Sequence, residues 1–215
     1  VLVAALRGAV ATASAGLQIA PLYNSLLTEL ITGFIPNQRI DRVGRFLVQL
    51  SKSLEDLESE FVKKRLQESA VIDLLEDGIH QAVRAVTEER LRYIALVIKN
   101  GIKADDLEVL VAKTVLDLLN QLNNIEITIL QSYSFRDHEV EKEFRRIYPH
   151  IFENSKVMEN SKPYIPSAII GHYYAHLHNL RLITRTDAGT DLTDLGSLLL
   201  RSLDIEVTAQ TLSLI

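Results

Sequence analysis

Ile40, Val43, Leu47, Leu50, Leu54, Leu57 and Phe61 step along the chain by three and four residues, the spacing of one face of a helix. Arg39, Asp41, Arg42, Arg45, Lys52, Glu55, Asp56, Glu58 and Glu60 lie off that stripe. The pattern predicts one helix over residues 40–61. Three heptads are marginal for an independent coiled coil. The expected use is therefore the buried face of a bundle helix, with a homodimer through the 40–61 seam as the alternative.

Upstream, Pro21 suits a first helical turn, since its missing N–H is not needed there. Leu22, Leu26, Leu27, Leu30, Ile31 and Phe34 follow at helical spacing, and Gly33 with Pro36 closes that helix. Residues 1–20, rich in Ala, Gly and Val, are expected to form a loosely packed helix resting on the next ones. Downstream, Val71, Leu75, Ile79, Ala82, Val83 and Val86 mark a third helix. Thr87 caps a fourth, which carries Leu91, Ile94, Ala95 and Ile98, with Glu88 and Glu89 favourably placed for the helix dipole. Asn100-Gly101 is expected to stop it. Residues 21–100 thus read as an antiparallel helical bundle, forming a first domain over 1–103.

The second domain, 104–215, opens at Asp105 or Asp106 with a helix through Leu107, Leu110, Val111, Val115, Leu118, Leu119 and Leu122. Ile125-Glu126-Ile127-Thr128-Ile129-Leu130 alternates as a strand would. Its shortness and a capping Asn124 favour a helix. Asp137 caps another helix, ending near Tyr148. Residues 149–166, with Pro, Asn and Ser, read as a loop or insertion. Ser167 is expected to cap a helix carrying Ile169, Ile170, Tyr173, Tyr174, Leu177 and Leu180.

An apolar strand follows, then the turn Thr186-Asp187-Ala188-Gly189. Thr193 caps a last helix with Leu195, Leu198, Leu199 and Leu203. The tail from Asp204 alternates and is expected to be an edge strand or an extended arm. This order is that of a winged helix-turn-helix, so the fold class expected is mainly α: a helical bundle followed by a winged-helix-like domain with a small β element.

The chain has 215 residues, 47% of them hydrophobic, which suffices for a sizeable core. It opens on Val1 and not on Met, and is expected to be trimmed from a longer one. From Gly8 to Phe34 the only charge is Glu29. A membrane-active role through residues 1–35 is therefore one alternative. But Pro21 interrupts that stretch, Thr12, Ser14, Gln18, Asn24, Ser25 and Thr28 dilute it, and a spanning helix needs about 20 predominantly apolar residues. Only Arg7 is basic near the start, a poor signal-peptide pattern. Cysteine is absent, which excludes disulfides and thiolate metal sites and leans towards a cytoplasmic setting. A net charge of −5 disfavours broad nucleic-acid binding.

His172 and His176 stand one helical turn apart, a spacing that can ligate a metal. The residues between them, Tyr-Tyr-Ala with Tyr173, supply no acid, so no metal and no cofactor are expected. No phosphate-binding loop, dinucleotide fingerprint or nucleophile elbow occurs. Glu139, Glu141 and Glu143 alternate with Lys142 as on a solvated face. No enzymatic activity is expected. If the winged helix met DNA, its contact face would be His172, His176 and Asn179, followed by Arg181 and Arg185. Base readout leans on Arg, Asn or Gln, with Lys and Arg on phosphates, and the helix itself has neither Lys nor Arg.

Three stretches together resemble a bacterial family known by an abortive-infection label, the Abi-alpha-type proteins. They are Leu119-Asn120-Gln121-Leu122-Asn123-Asn124-Ile125-Glu126-Ile127-Thr128-Ile129-Leu130, then Asn179-Leu180-Arg181-Leu182-Ile183, then Leu192-Thr193-Asp194-Leu195-Gly196. The chain departs from the pattern at Arg181, where a Gly is often expected before the apolar pair. It departs again at Leu198-Leu199-Leu200, where an aromatic is more usual. The resemblance implies a role in defence against phage and offers no catalytic residues. The function expected is a non-enzymatic, cytoplasmic protein-interaction module of that type, with a protein partner. A DNA-binding regulator is the alternative.

Overall fold

The computed structural model describes residues 40–135, 137–152, 165–187 and 189–205. The expectations for residues 1–39, for most of the 149–166 loop and for the tail lie outside the described residues. The chain divides into two compact units, Val1–Asn120 and Gln121–Ile215.

The described part of the first unit holds α1 (Ile40–Ser53), α2 (Ser59–Arg65), α3 (Ser69–Arg84), α4 (Glu88–Lys103) and α5 (Asp106–Gln121). Helix α1 packs on α4 and α3, and α3 packs on α4. Val43, Phe46, Leu47, Leu50 and Leu54 are buried, so the predicted seam is used inside the unit. It is not, however, one helix. Ser53 Oγ donates back to the Gln49 carbonyl at 2.8 Å, a bond that competes with helix propagation. The Leu54 N–H is shared between the carbonyls of Leu50 and Ser51, and the Leu57 N–H bonds Leu54 three residues back. Lys99 reaches Asp56 at 2.9 Å and holds this turn against α4. The helical phase is reset across it: Val62 is buried and Phe61 is exposed, the reverse of what the heptads predicted.

Asn100-Gly101 does not stop α4, which continues to Lys103. A Cβ at Gly101 would run into the Leu74 side chain and sit 3.1 Å from Ala112 Cβ. Gly78 of α3 is equally close to Ile98 of α4. Both glycines let helices approach, and at Gly101 they do so where sequence alone suggested a terminator. The helix instead ends under Arg65 of α2, which donates to the carbonyls of Ile102 at 3.0 Å and Ala104 at 2.5 Å. The same device recurs: Arg42 bonds the Val83 carbonyl near the end of α3, and Arg90 that of Leu119 near the end of α5. The last carbonyls of a helix lack intrahelical donors, and here guanidinium groups supply them.

Helix α5 falls in the first unit, one helix beyond the boundary expected at 103/104. Gln81 of α3 donates to the Leu116 carbonyl at 2.9 Å, and Lys113 lies 3.6 Å from Asp73 and 3.8 Å from Asp77. Long-range polar bonds of this kind leave no trace in hydrophobic periodicity.

The second unit holds α6 (Asn124–Ser132), α7 (His138–Ile147), the single turn α8 (Pro149–Phe152), α9 (Ser167–Asn179), β1 (Ile183–Thr186), β2 (Gly189–Leu192) and α10 (Asp194–Ser202). Ile125–Leu130 is helical, as expected from its length, but the cap is Asn123 and not Asn124. The Asn123 side chain accepts from the Glu126 N–H, and the Glu126 carboxylate accepts from the Asn123 N–H. Asp137 caps α7 as expected. Ser167 does not cap α9; it is the first helical residue, and Pro166 stands at the cap without a side-chain bond.

Strands β1 and β2 pair antiparallel with Thr186 opposite Gly189, whose φ is 141°. Thr193 clamps the next helix to the hairpin. Its hydroxyl accepts from the Gly196 N–H at 3.0 Å and donates to the Arg181 carbonyl at 2.7 Å. Among the described residues the architecture is mainly helical with one small hairpin. Among the described residues no helix is long and apolar enough to cross a membrane.

Candidate functional site

Helix α9 has the sequence SAIIGHYYAHLHN, without one Lys, Arg, Asp or Glu. It rests on α6 and leads into β1. Leu177 is its one fully buried residue; Ala168, Ile169, Gly171, His172, Ala175, His178 and Asn179 are exposed. Ile169 exposes 42% of its surface, and a Cβ on Gly171 would meet nothing within 4 Å. The outward face of α9 is therefore open and free of Lys, Arg, Asp and Glu.

His172 and His176 stack with ring centroids 6.3 Å apart and planes 7° from parallel. The structure adds a residue that the motif search passed over. Glu126 of α6 is buried, 2% exposed, and its Oε1 lies 2.6 Å from His176 Nδ1. Its Oε2 accepts from the Asn123 N–H at 2.8 Å. The capping-box spacing of Asn123 and Glu126 was available in the sequence; the pairing with His176, fifty positions away, was not.

Asn179 ends α9, and Arg181 follows it at φ 58°, in left-handed backbone. The Leu182 N–H bonds the Leu177 carbonyl at 3.0 Å and the Arg181 N–H that of His178 at 2.9 Å. That is a Schellman motif, in which glycine normally holds the left-handed position. A second closes α10, with Asp204 at φ 54°. Arg181 thus stands where the backbone favours glycine. Arg185 lies on β1 opposite Thr190. Arg181 and Arg185 are both exposed, and neither joins an ion pair among the described residues.

On the half-buried side of α9, Tyr174 is pushed up to about 12, first by burial and then by Tyr133 beside it, with Arg145 opposing. A surface depression of about 440 Å³ lies along α7, lined by His138, Lys142, Arg145, Arg146 and Phe152 among others. Its cations are already paired: Lys142 with Glu139, Arg145 with Glu141 and Arg146 with Glu143. No family model, curated protein or solved structure matches the chain.

Proposed function

We propose that the chain is a non-enzymatic protein-interaction module of abortive-infection type, and that its second unit is winged-helix-like with α9 in the recognition position. The observation that carries the reading is the exposed face of α9, which has no Lys, Arg, Asp or Glu along its whole length and bears exposed Ile169. Exposed apolar surface without charge suits a protein partner. It does not suit a phosphate backbone, which is held by Lys and Arg. The defence assignment rests on the resemblance of the three stretches quoted above.

Two measurements test this. Plating efficiency of phage is compared on bacteria expressing the chain or its Ile169→Glu variant. The chain lowers plating and the variant, folded by circular dichroism, does not; equal plating on both would overturn the reading. Mobility shift with duplex DNA is run at two salt concentrations. Arg181 and Arg185 near the hairpin leave affinity weak, on the order of 10⁻⁴ M at physiological salt. A dissociation constant below about 10⁻⁶ M would favour the regulator instead.

A further inference from the structure

From sequence, His172 and His176 are two imidazoles one turn apart with no acid between them. The structure places a carboxylate behind them. The Glu126 side chain is 3% exposed, held at Oε2 by the Asn123 N–H and at Oε1 by His176 Nδ1 at 2.6 Å. A metal-ligating histidine is oriented in this way: one ring nitrogen is tied to a carboxylate, and the other is left for the ion.

We propose that His172 and His176 chelate a borderline divalent transition metal, His176 through Nε2, with Glu126 as the positioning residue. Imidazole pairs suit zinc, nickel and copper. An ion about 2.0–2.1 Å from each nitrogen keeps the two nitrogens within roughly 4 Å. The rings lie 6.3 Å apart and 7° from parallel, so their in-plane lone pairs do not converge as they stand; His172 is exposed, and chelation turns its side chain until its nitrogen faces the ion held by His176. No group of three or more His, Asp or Glu among the described residues could hold a metal. The described residues therefore supply two ligands, and water or a partner's side chain completes the shell. Such a site is exchangeable and does not hold the fold together. The inference stands on α6 and α9 geometry and does not depend on what the face of α9 binds.

The test is calorimetric titration of the full chain with zinc(II) and with nickel(II), each alone, and of four variants. One-to-one binding is lost in His172→Ala and in His176→Ala, weakened about 10- to 100-fold in Glu126→Gln, and unchanged in His138→Ala. Chelator leaves the melting temperature where it was. Undiminished binding in His172→Ala, or in a folded Glu126→Gln, overturns the proposal. Should Glu126→Gln fail to fold, imidazole nitrogen NMR of the wild-type chain decides: zinc must perturb His176 Nε2, and an unmoved Nε2 overturns it.

Discussion

Gly196 sits so close beneath the carbonyl oxygen of Leu182 that a Cβ there would collide with backbone, and with Leu192 Cδ1 at 2.7 Å. This explains Leu-Thr-Asp-Leu-Gly at 192–196: Thr193 caps α10 and ties it to Arg181, while Gly196 allows the helix to seat on the strand entry. Gly196→Ala is expected to destabilise the chain by about 1–3 kcal/mol, the cost of overpacking. Urea denaturation measures it. Gly171→Ala, into open space on the exposed face of α9, is the control and costs nothing.

Arg181→Gly should raise stability. A non-glycine residue in left-handed backbone costs roughly 1–2 kcal/mol, part of which is returned by the greater freedom of glycine when unfolded. A rise in melting temperature is expected, and a fall would mean that the Arg181 side chain makes a stabilising contact.

Arg65→Ala strips the donors from the carbonyls of Ile102 and Ala104, where the arginine side chain is 11% exposed. Leaving buried acceptors unsatisfied costs about 1–3 kcal/mol. Arg65→Lys is not expected to rescue, since one ammonium cannot reproduce the guanidinium fork. Full stability in Arg65→Lys would show that charge alone matters there.

Residues on either side of the α1–α2 break should respond differently. Leu50→Ala and Leu54→Ala remove buried side chains and are expected to cost about 2–5 kcal/mol. Phe61→Ala, at 39% exposure, should cost less than about 1 kcal/mol. A large loss at Phe61 would instead point to a continuous seam.

Tyr174 gives a pH dependence. Its folded-state value of about 12 lies above the ordinary 10, chiefly because burial disfavours the phenolate. Below about pH 10 both states keep the proton and stability is unaffected. Above it the unfolded chain ionises first, so stability falls as pH rises towards 12. Urea midpoints above pH 10 should drop more steeply in wild type than in Tyr174→Phe, and parallel curves would contradict the assignment.

Local chemistry was legible along the chain. Thr87, Asp137 and Thr193 cap the helices that the apolar spacing predicted, because a side chain two or three residues from its backbone donor needs no tertiary help. The turn into Gly189 was also legible, because Gly189 holds a positive φ, but the strand before it is apolar only at Ile183. His172 and His176 could be placed one turn apart on a helix from their spacing alone, but the Glu126 behind His176 could not.

What the sequence by itself determined is helical class, the caps at Thr87, Asp137 and Thr193, the turn before Gly189 and the absence of cysteine. Tertiary structure decided the break after Ser53, the run of α4 through Gly101, the membership of α5 in the first unit and the Glu126–His176 pair. Each depends on groups far apart in sequence: Lys99 on Asp56, Leu74 against Gly101, Gln81 on Leu116, a carboxylate under an imidazole. Periodicity records which face of a segment is apolar; it does not record which distant donor or side chain arrives to end, extend or orient it.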